Sequence, residues 1–145
     1  SKDAKNFNQD EIFDFIKKNF NVIGDLNKDI KINDRTFACK GNTKDFIWLS
    51  YKDFFRQNLA ISDFLAICEK YNWFFIDDFE QNDDYGKDII RRFIGFIDIA
   101  YIEKVKIKFF FNSDDIRSLY IGEELSFLWD RTISRLEEMQ NINDK

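Results

Sequence analysis

From Phe127 to Gln140 the apolar positions Trp129, Ile133, Leu136 and Met139 recur close to every 3.6 residues, which predicts an amphipathic helix. Arg131 and Arg135 are four apart and share one face of it. Like charges at that spacing repel by about 0.2–0.5 kcal/mol. Glu138, three beyond Arg135, can offset this within the helix, and so can an external anion. The longest helical pattern runs from Asp88 to Glu103. It places Ile90, Phe93, Ile94, Ile97 and Tyr101 on the buried side and Asp88, Arg91, Arg92, Gly95 and Asp98 on the other. Asp88 precedes Arg92 by four, the favourable orientation for a helical ion pair. Three further helices are expected towards the N-terminus. Asn8 with Glu11 resembles a capping box for a helix to about Asn19, with Ile12, Phe13, Ile16 and Phe20 facing inward. Ser50 with Asp53 opens a short helix to about Phe55. Ser62 is the expected N-cap of a helix from Asp63 to Tyr71, striped by Phe64, Ile67, Cys68 and Tyr71. Later in the chain, Ser113 is expected to cap a short helix through Leu119.

Elsewhere the pattern alternates. Ile30 to Lys40 reads as two short strands around an Asn33-Asp34 turn. Gly41-Asn42 is expected to turn the chain again, into a third strand over Lys44 to Leu49. Trp73 to Ile76 is an unbroken apolar run of the kind found in strands buried on both faces. Lys104 to Phe111 is the next strand, ending at Asn112. Strand, helix, strand from Trp73 to Phe111 is a parallel crossover, expected to be right-handed. The closely spaced earlier strands are expected to be antiparallel. The predicted fold class is therefore α/β: a mixed β-sheet with packed helices, including one parallel β-α-β crossover at about residues 73–111. Residues 1–29 read as an N-terminal helix and linker, and residues 30–145 as an α/β module.

Composition narrows the function. The 145 residues fit one domain, long enough to bury about 70% of its unfolded surface. Aromatic residues make up 18% of the chain, which argues against disorder. A net charge of −5 gives no basic footprint, so nucleic acid is not an expected partner. There is no histidine, which excludes a histidine-based dyad or triad. Cys39 and Cys68 alone cannot complete a zinc site, so no metal is expected. They read as reduced thiols, with a disulfide left open. No signal peptide is visible, and no apolar run approaches the ~20 residues of a transmembrane segment.

Four blocks carry a family resemblance. They are Asp34-Arg35; Leu59-Ala60 with Asp63-Phe64-Leu65-Ala66-Ile67; Asp77-Asp78 with Arg91-Arg92-Phe93-Ile94, Ile97-Asp98, Tyr101 and Val105-Lys106-Ile107; and Arg131-Thr132 with Ser134-Arg135-Leu136, Glu138, Met139 and Gln140. In order and spacing they resemble the ZapE-type AAA+ ATPases of bacterial cell division and mitochondrial quality control. The likeness spans roughly Ile30 to Gln140 and corresponds to the C-terminal portion of such an ATPase. It implies that residues 30–145 are a regulatory or oligomer-contacting C-terminal module, not catalytic alone. It also implies an upstream ATPase portion, ATP and magnesium in the complete protein, and ATP-driven remodelling of protein partners. A homo-oligomer of the complete protein is implied as well. So is a bacterial cytoplasmic location, or the matrix side of the mitochondrion in a eukaryote. The alternative is a free-standing protein-interaction domain without nucleotide dependence.

A phosphate loop needs G-x-x-x-x-G-K-[ST]. Of the five glycines only Gly86 precedes a lysine, and Asp88 stands where Ser or Thr is required. The chain alone is therefore expected neither to bind ATP tightly nor to hydrolyse it. Trp73 to Asp78 imitates a Walker B strand, four apolar residues followed by acids. The resemblance assigns it instead to a block usually written Asp-Ile-Pro, with Phe79 and Glu80 replacing the last two. Adjacent carboxylates at a strand end are expected to point to opposite faces, which excludes a glycosidase pair. Thr132 and Ser134 lack a base and read as caps or hydrogen-bond partners. Arg91, Arg92, Arg131 and Arg135 remain. Under the resemblance they are the candidate phosphate-sensing or subunit-contact residues, because a guanidinium is always charged and donates in a planar fork. The competing reading is internal pairing, of Arg91 or Arg92 with Asp88 and Asp98, and of Arg135 with Glu138.

Overall fold

The computed structural model describes residues 7–111 and 116–143, with side chains through Met139. Five strands form one sheet in the order β1 (Asn27–Ile32), β2 (Arg35–Asn42), β3 (Phe46–Ser50), β4 (Trp73–Asp77) and β5 (Lys106–Phe109). The first three are antiparallel neighbours. β3, β4 and β5 are parallel. The mixed sheet is thus present, as is the crossover over 73–111, carried by α4 (Lys87–Glu103). A second parallel crossover joins β3 to β4 through α2 (Tyr51–Phe54) and α3 (Ile61–Lys70). The hydrophobic pattern does not announce it, because these connecting helices are short and strand direction is settled only by pairing.

Strand alternation explains how one sheet serves two cores. Phe46, Trp48, Phe75 and Phe110 point to one side, where Ile12 and Ile16 of α1 (Gln9–Asn19) cover them. Ile47, Leu49, Phe74, Ile76 and Ile107 point to the other. There they meet Phe64 and Ile67 of α3, Phe93, Phe96 and Ile97 of α4, and Trp129, Ile133 and Leu136 of α5 (Ser126–Asn143). The unbroken apolar run of β4 is thereby accounted for: both of its faces are inside. Each buried Phe contributes about 1.5–3 kcal/mol relative to exposure.

Local chemistry sets the boundaries, with some corrections. Asn8 caps α1, its side chain accepting from the Asp10 amide. Ser50 caps α2 by accepting from the Asp53 amide. Asn33 and Asp34 have φ of 49° and 68°, the left-handed pair a two-residue hairpin turn requires. Gly41 does not turn the chain. It lies inside β2, opposite Trp48, where an added β-carbon would stand 2.4 Å from the Leu26 side chain. The turn falls at Thr43 instead, whose amide donates to the Phe46 carbonyl. Ser62 is not the cap of α3. That helix begins after Ala60, and the Asp63 carboxylate reaches back to accept from the Ala60 amide at 2.8 Å. β5 is shorter than the alternation suggests, because α4 ends in a left-handed Lys104 (φ 59°) before the strand begins. The Ser113 cap and the strand end at Asn112 lie outside the described residues. Leu119 ends a 3-10 turn from Ile116.

Candidate functional site

Contacts occur in the same order along α4 and α5, so the two helices run parallel. Lys87 pairs with Glu124, Asp98 with Arg131 and Arg135, and Tyr101 with Glu138. The 3.6-residue period puts Asp98 on the α4 flank facing α5, and puts Arg131 and Arg135 on the α5 flank facing back. Arg131 Nη2 donates to Asp98 Oδ2 at 3.0 Å, and Arg135 Nη1 donates to Asp98 Oδ1 at 2.5 Å. The Arg135 guanidinium also lies 5.0 Å from the Tyr101 ring centroid. Tyr101 in turn donates to Glu138 Oε2 at 2.8 Å, which pushes its own pKa up. Arg135 thus takes Asp98 as its partner in place of Glu138, and Asp98 absorbs the repulsion between the two arginines.

The four arginines are not one cluster. Arg92 donates to the Phe55 carbonyl at 3.1 Å rather than pairing with Asp88 or Asp98. Arg91 is exposed on the outer face of α4, and no ion pair of it is found among the described residues. It stands seven residues before Asp98, two turns and ~10 Å along the same face. Only Arg131 and Arg135 are brought together. One carboxylate is shared by two guanidiniums, and Glu138, bonded to the Tyr101 that lies against Arg135, brings a second carboxylate alongside. Arg131 is 44% exposed and Arg135 28%, and each gives Asp98 a single hydrogen bond out of five N–H donors. This arrangement suits a further carboxylate or phosphate. Sequence reasoning placed Asp98 on the polar face but did not identify it as the hub. The signal was the matched spacing of 98 and 101 against 131, 135 and 138.

A second charged cluster sits at the end of β4. Asp77 is fully buried and accepts from Gln9 Nε2 (2.5 Å), Lys40 Nζ (2.7 Å) and the Trp48 indole (2.9 Å). Lys40 also reaches Asp78 at 3.1 Å. Both acids therefore converge on one lysine, contrary to the expected opposite faces. Asp78 has left the strand, with φ 54°, and its side chain swings round. A third cluster joins two of the sequence blocks. Arg35 donates to Asp63 and to the Asn58 carbonyl, and Asn33 donates to Asp63. Burial pushes the Asp63 pKa up, but the Ala60 amide, Arg35 and Asn33 together hold it below its ordinary value. Thr132 donates to the Leu128 carbonyl within α5, a hydrogen-bonding role. Cys39 and Cys68 are free thiols, and burial raises Cys68 to about 12.

A family model, AFG1-like ATPase, matches residues 5–144. The chain belongs to the AFG1-like ATPase family. No curated protein and no solved structure matches it. An ATPase family implies ATP and magnesium for the complete protein, and among the described residues of this AFG1-like chain neither the Gly86-Lys87 pair nor Asp77 is placed to hold them. The one Gly-Lys pair is spent: the Gly86 amide donates to the Asp83 carbonyl, and Lys87 pairs with Glu124. Asp77 has its carboxylate filled by three protein donors. Among the described residues no three acidic or thiol side chains gather as metal ligands. No helix among those residues is long and apolar enough to cross a membrane.

Proposed function

We propose that this AFG1-like chain is a non-catalytic module of an AAA+ ATPase, regulatory or subunit-contacting. Its arginine pair holds an anion presented by the ATPase portion or by a neighbouring subunit. The observation that carries this reading is the sharing of one carboxylate, Asp98, by two partly exposed guanidiniums, Arg131 and Arg135. Arg91, one face and two turns away, extends that surface, whereas Arg92 is held by a backbone carbonyl. By resemblance, the complete machine remodels protein partners in cell division or quality control. It is bacterial and cytoplasmic, or mitochondrial on the matrix side.

The test has two parts. Calorimetry of the chain with ATP and magnesium should show no binding; micromolar binding would overturn the non-catalytic assignment. In the ATPase that carries this module, Arg131→Ala with Arg135→Ala should lower turnover at least about tenfold, less than the roughly 10²–10³ lost with a donor that meets the reacting group itself. Unchanged turnover with an unchanged melting temperature would leave the pair as a local tether.

A further inference from the structure

The 3-10 turn Asp84–Gly86 and the segment from Tyr120 into α5 are locked to each other. Asp84 accepts from the Tyr120 hydroxyl and from the amides of Glu123 (3.0 Å) and Glu124 (3.3 Å). The Ile121 amide donates to the Asn82 carbonyl at 2.9 Å, and Lys87 bonds Glu124 at 2.9 Å. Gly122 approaches so closely that an added β-carbon would stand 2.3 Å from an Asp84 carboxylate oxygen. Bonding this dense fixes a platform, yet it turns large apolar side chains outward. Tyr85 is fully exposed, Ile121 is 59% exposed, and Phe127 at the start of α5 is 83% exposed. Single exposed apolar residues are ordinary; three on interlocked segments mark an interaction surface. Beside Tyr85 runs a groove of about 690 Å³ with a mostly polar lining that includes Arg56, Asp83, Asp88 and Arg92.

The rim of this surface is acidic. Asp83, Asp84 and Asp88 flank Tyr85 along the chain, Glu123 and Glu124 stand between Ile121 and Phe127, and the one lysine among them, Lys87, is paired with Glu124. Of the two arginines that line the groove, Arg56 is paired with Glu80 at 2.5 Å, while Arg92 donates to the Phe55 carbonyl and keeps its positive charge. Arg91 lies one turn past Asp88, on the outer face of α4.

We propose that this platform docks a basic protein segment bearing a large apolar side chain. The apolar residue packs against the exposed side chains of Tyr85, Ile121 and Phe127. The flanking Lys or Arg residues meet Asp88, Glu123 and Glu124. Charge complementarity selects this occupant: a second copy of the chain would bring the same acidic rim against itself, which costs affinity and on-rate. The surface is independent of the Asp98 arginines, so either reading can fail without the other.

The experiment uses a short synthetic peptide of lysines and serines with two leucines, and a counterpart with glutamate for each lysine. Fluorescence anisotropy on the whole chain should show the lysine peptide binding at least about tenfold tighter than the glutamate one, with affinity falling as salt rises. Phe127→Ser and Tyr85→Ser, both at exposed positions, should each weaken binding by about tenfold at unchanged melting temperature. Asp88→Asn with Glu123→Gln should flatten the salt dependence. Equal affinity for the two peptides, no binding of the lysine peptide, or binding indifferent to all four changes would overturn the proposal. So would sedimentation showing a dimer that Phe127→Ser dissolves, because the occupant would then be a second copy.

Discussion

Lys40 with Asp77 and the Arg131–Asp98–Arg135 group are built from the same chemistry, carboxylates met by fixed positive charge, yet they sit in opposite surroundings. Asp77, at the end of β4, is inside, with its donors supplied by three other elements, α1, β2 and β3. Asp98 is on the rim between two helices, and its arginines stay wet. The lesson is that a charge cluster becomes available to an outside ligand only when its own partners leave capacity over. Asp77 is saturated, so the acidic end of β4 serves the fold. The arginines around Asp98 are not, so the helix pair can serve something beyond it.

The sharpest way to break this comparison is at Lys40. Lys40→Met leaves the buried Asp77 carboxylate with neutral donors only, and should cost about 3–5 kcal/mol in urea unfolding. Adding Asp77→Asn should recover much of that, because removing both charges is far cheaper than orphaning one. A loss below ~1 kcal/mol for Lys40→Met would show that the site is wetter than its burial indicates.

Much of the architecture was legible because hydrophobic period and turn chemistry act locally. Asn33-Asp34, Ser50 and Asn8 do what their residue types dictate, and β4 is buried on both faces as its run of four apolar residues predicts. What escaped is decided by partners distant in sequence. Gly41 is a glycine because Leu26 presses on it, not because the chain turns. Ala60 rather than Ser62 precedes α3, because Asp63 already engages Arg35 and Asn33 and brings its carboxylate back to the Ala60 amide. Arg135 ignores Glu138, a neighbour on its own helix, for Asp98 on another. Of the candidate arginines, spacing alone separated the 131/135 pair from 91/92. It could not reveal that Arg92 would be held by a carbonyl.

Asp63 is the intermediate case, a buried carboxylate with a half-exposed arginine. Asp63→Ala should cost about 2 kcal/mol by releasing the cap on α3 and leaving Arg35 unpaired. Its pH signature has a definite sign. The folded pKa lies below the ordinary 3.8, so the carboxylate's contribution is complete above that value and is lost as pH falls through the folded pKa. Asp84, held low by Tyr120 and two amides, adds to the same acid limb. Asp63→Asn should therefore make stability less dependent on pH below 3.8, and leave the slope above it unchanged. An unchanged acid limb would mean that Asp63 titrates alike in the folded and unfolded chains.

The smallest effect is expected at Asp98, and its smallness is informative. Arg131→Ala or Arg135→Ala should change stability by less than about 1 kcal/mol, as partly exposed ion pairs do. Asp98→Ala removes both pairs and exposes the two arginines to their mutual repulsion, about 0.2–0.5 kcal/mol at that spacing. The whole loss should therefore stay near 1 kcal/mol and shrink as added salt screens the charges. Freed of their internal carboxylate, the arginines should bind inorganic phosphate more tightly than the unaltered chain does, which calorimetry would read directly. If Asp98→Ala instead destabilised the fold as much as Lys40→Met, the helix pair would be as saturated as the buried cluster. The contrast between a closed site and an open one would then vanish, and with it the physical ground for an external anion.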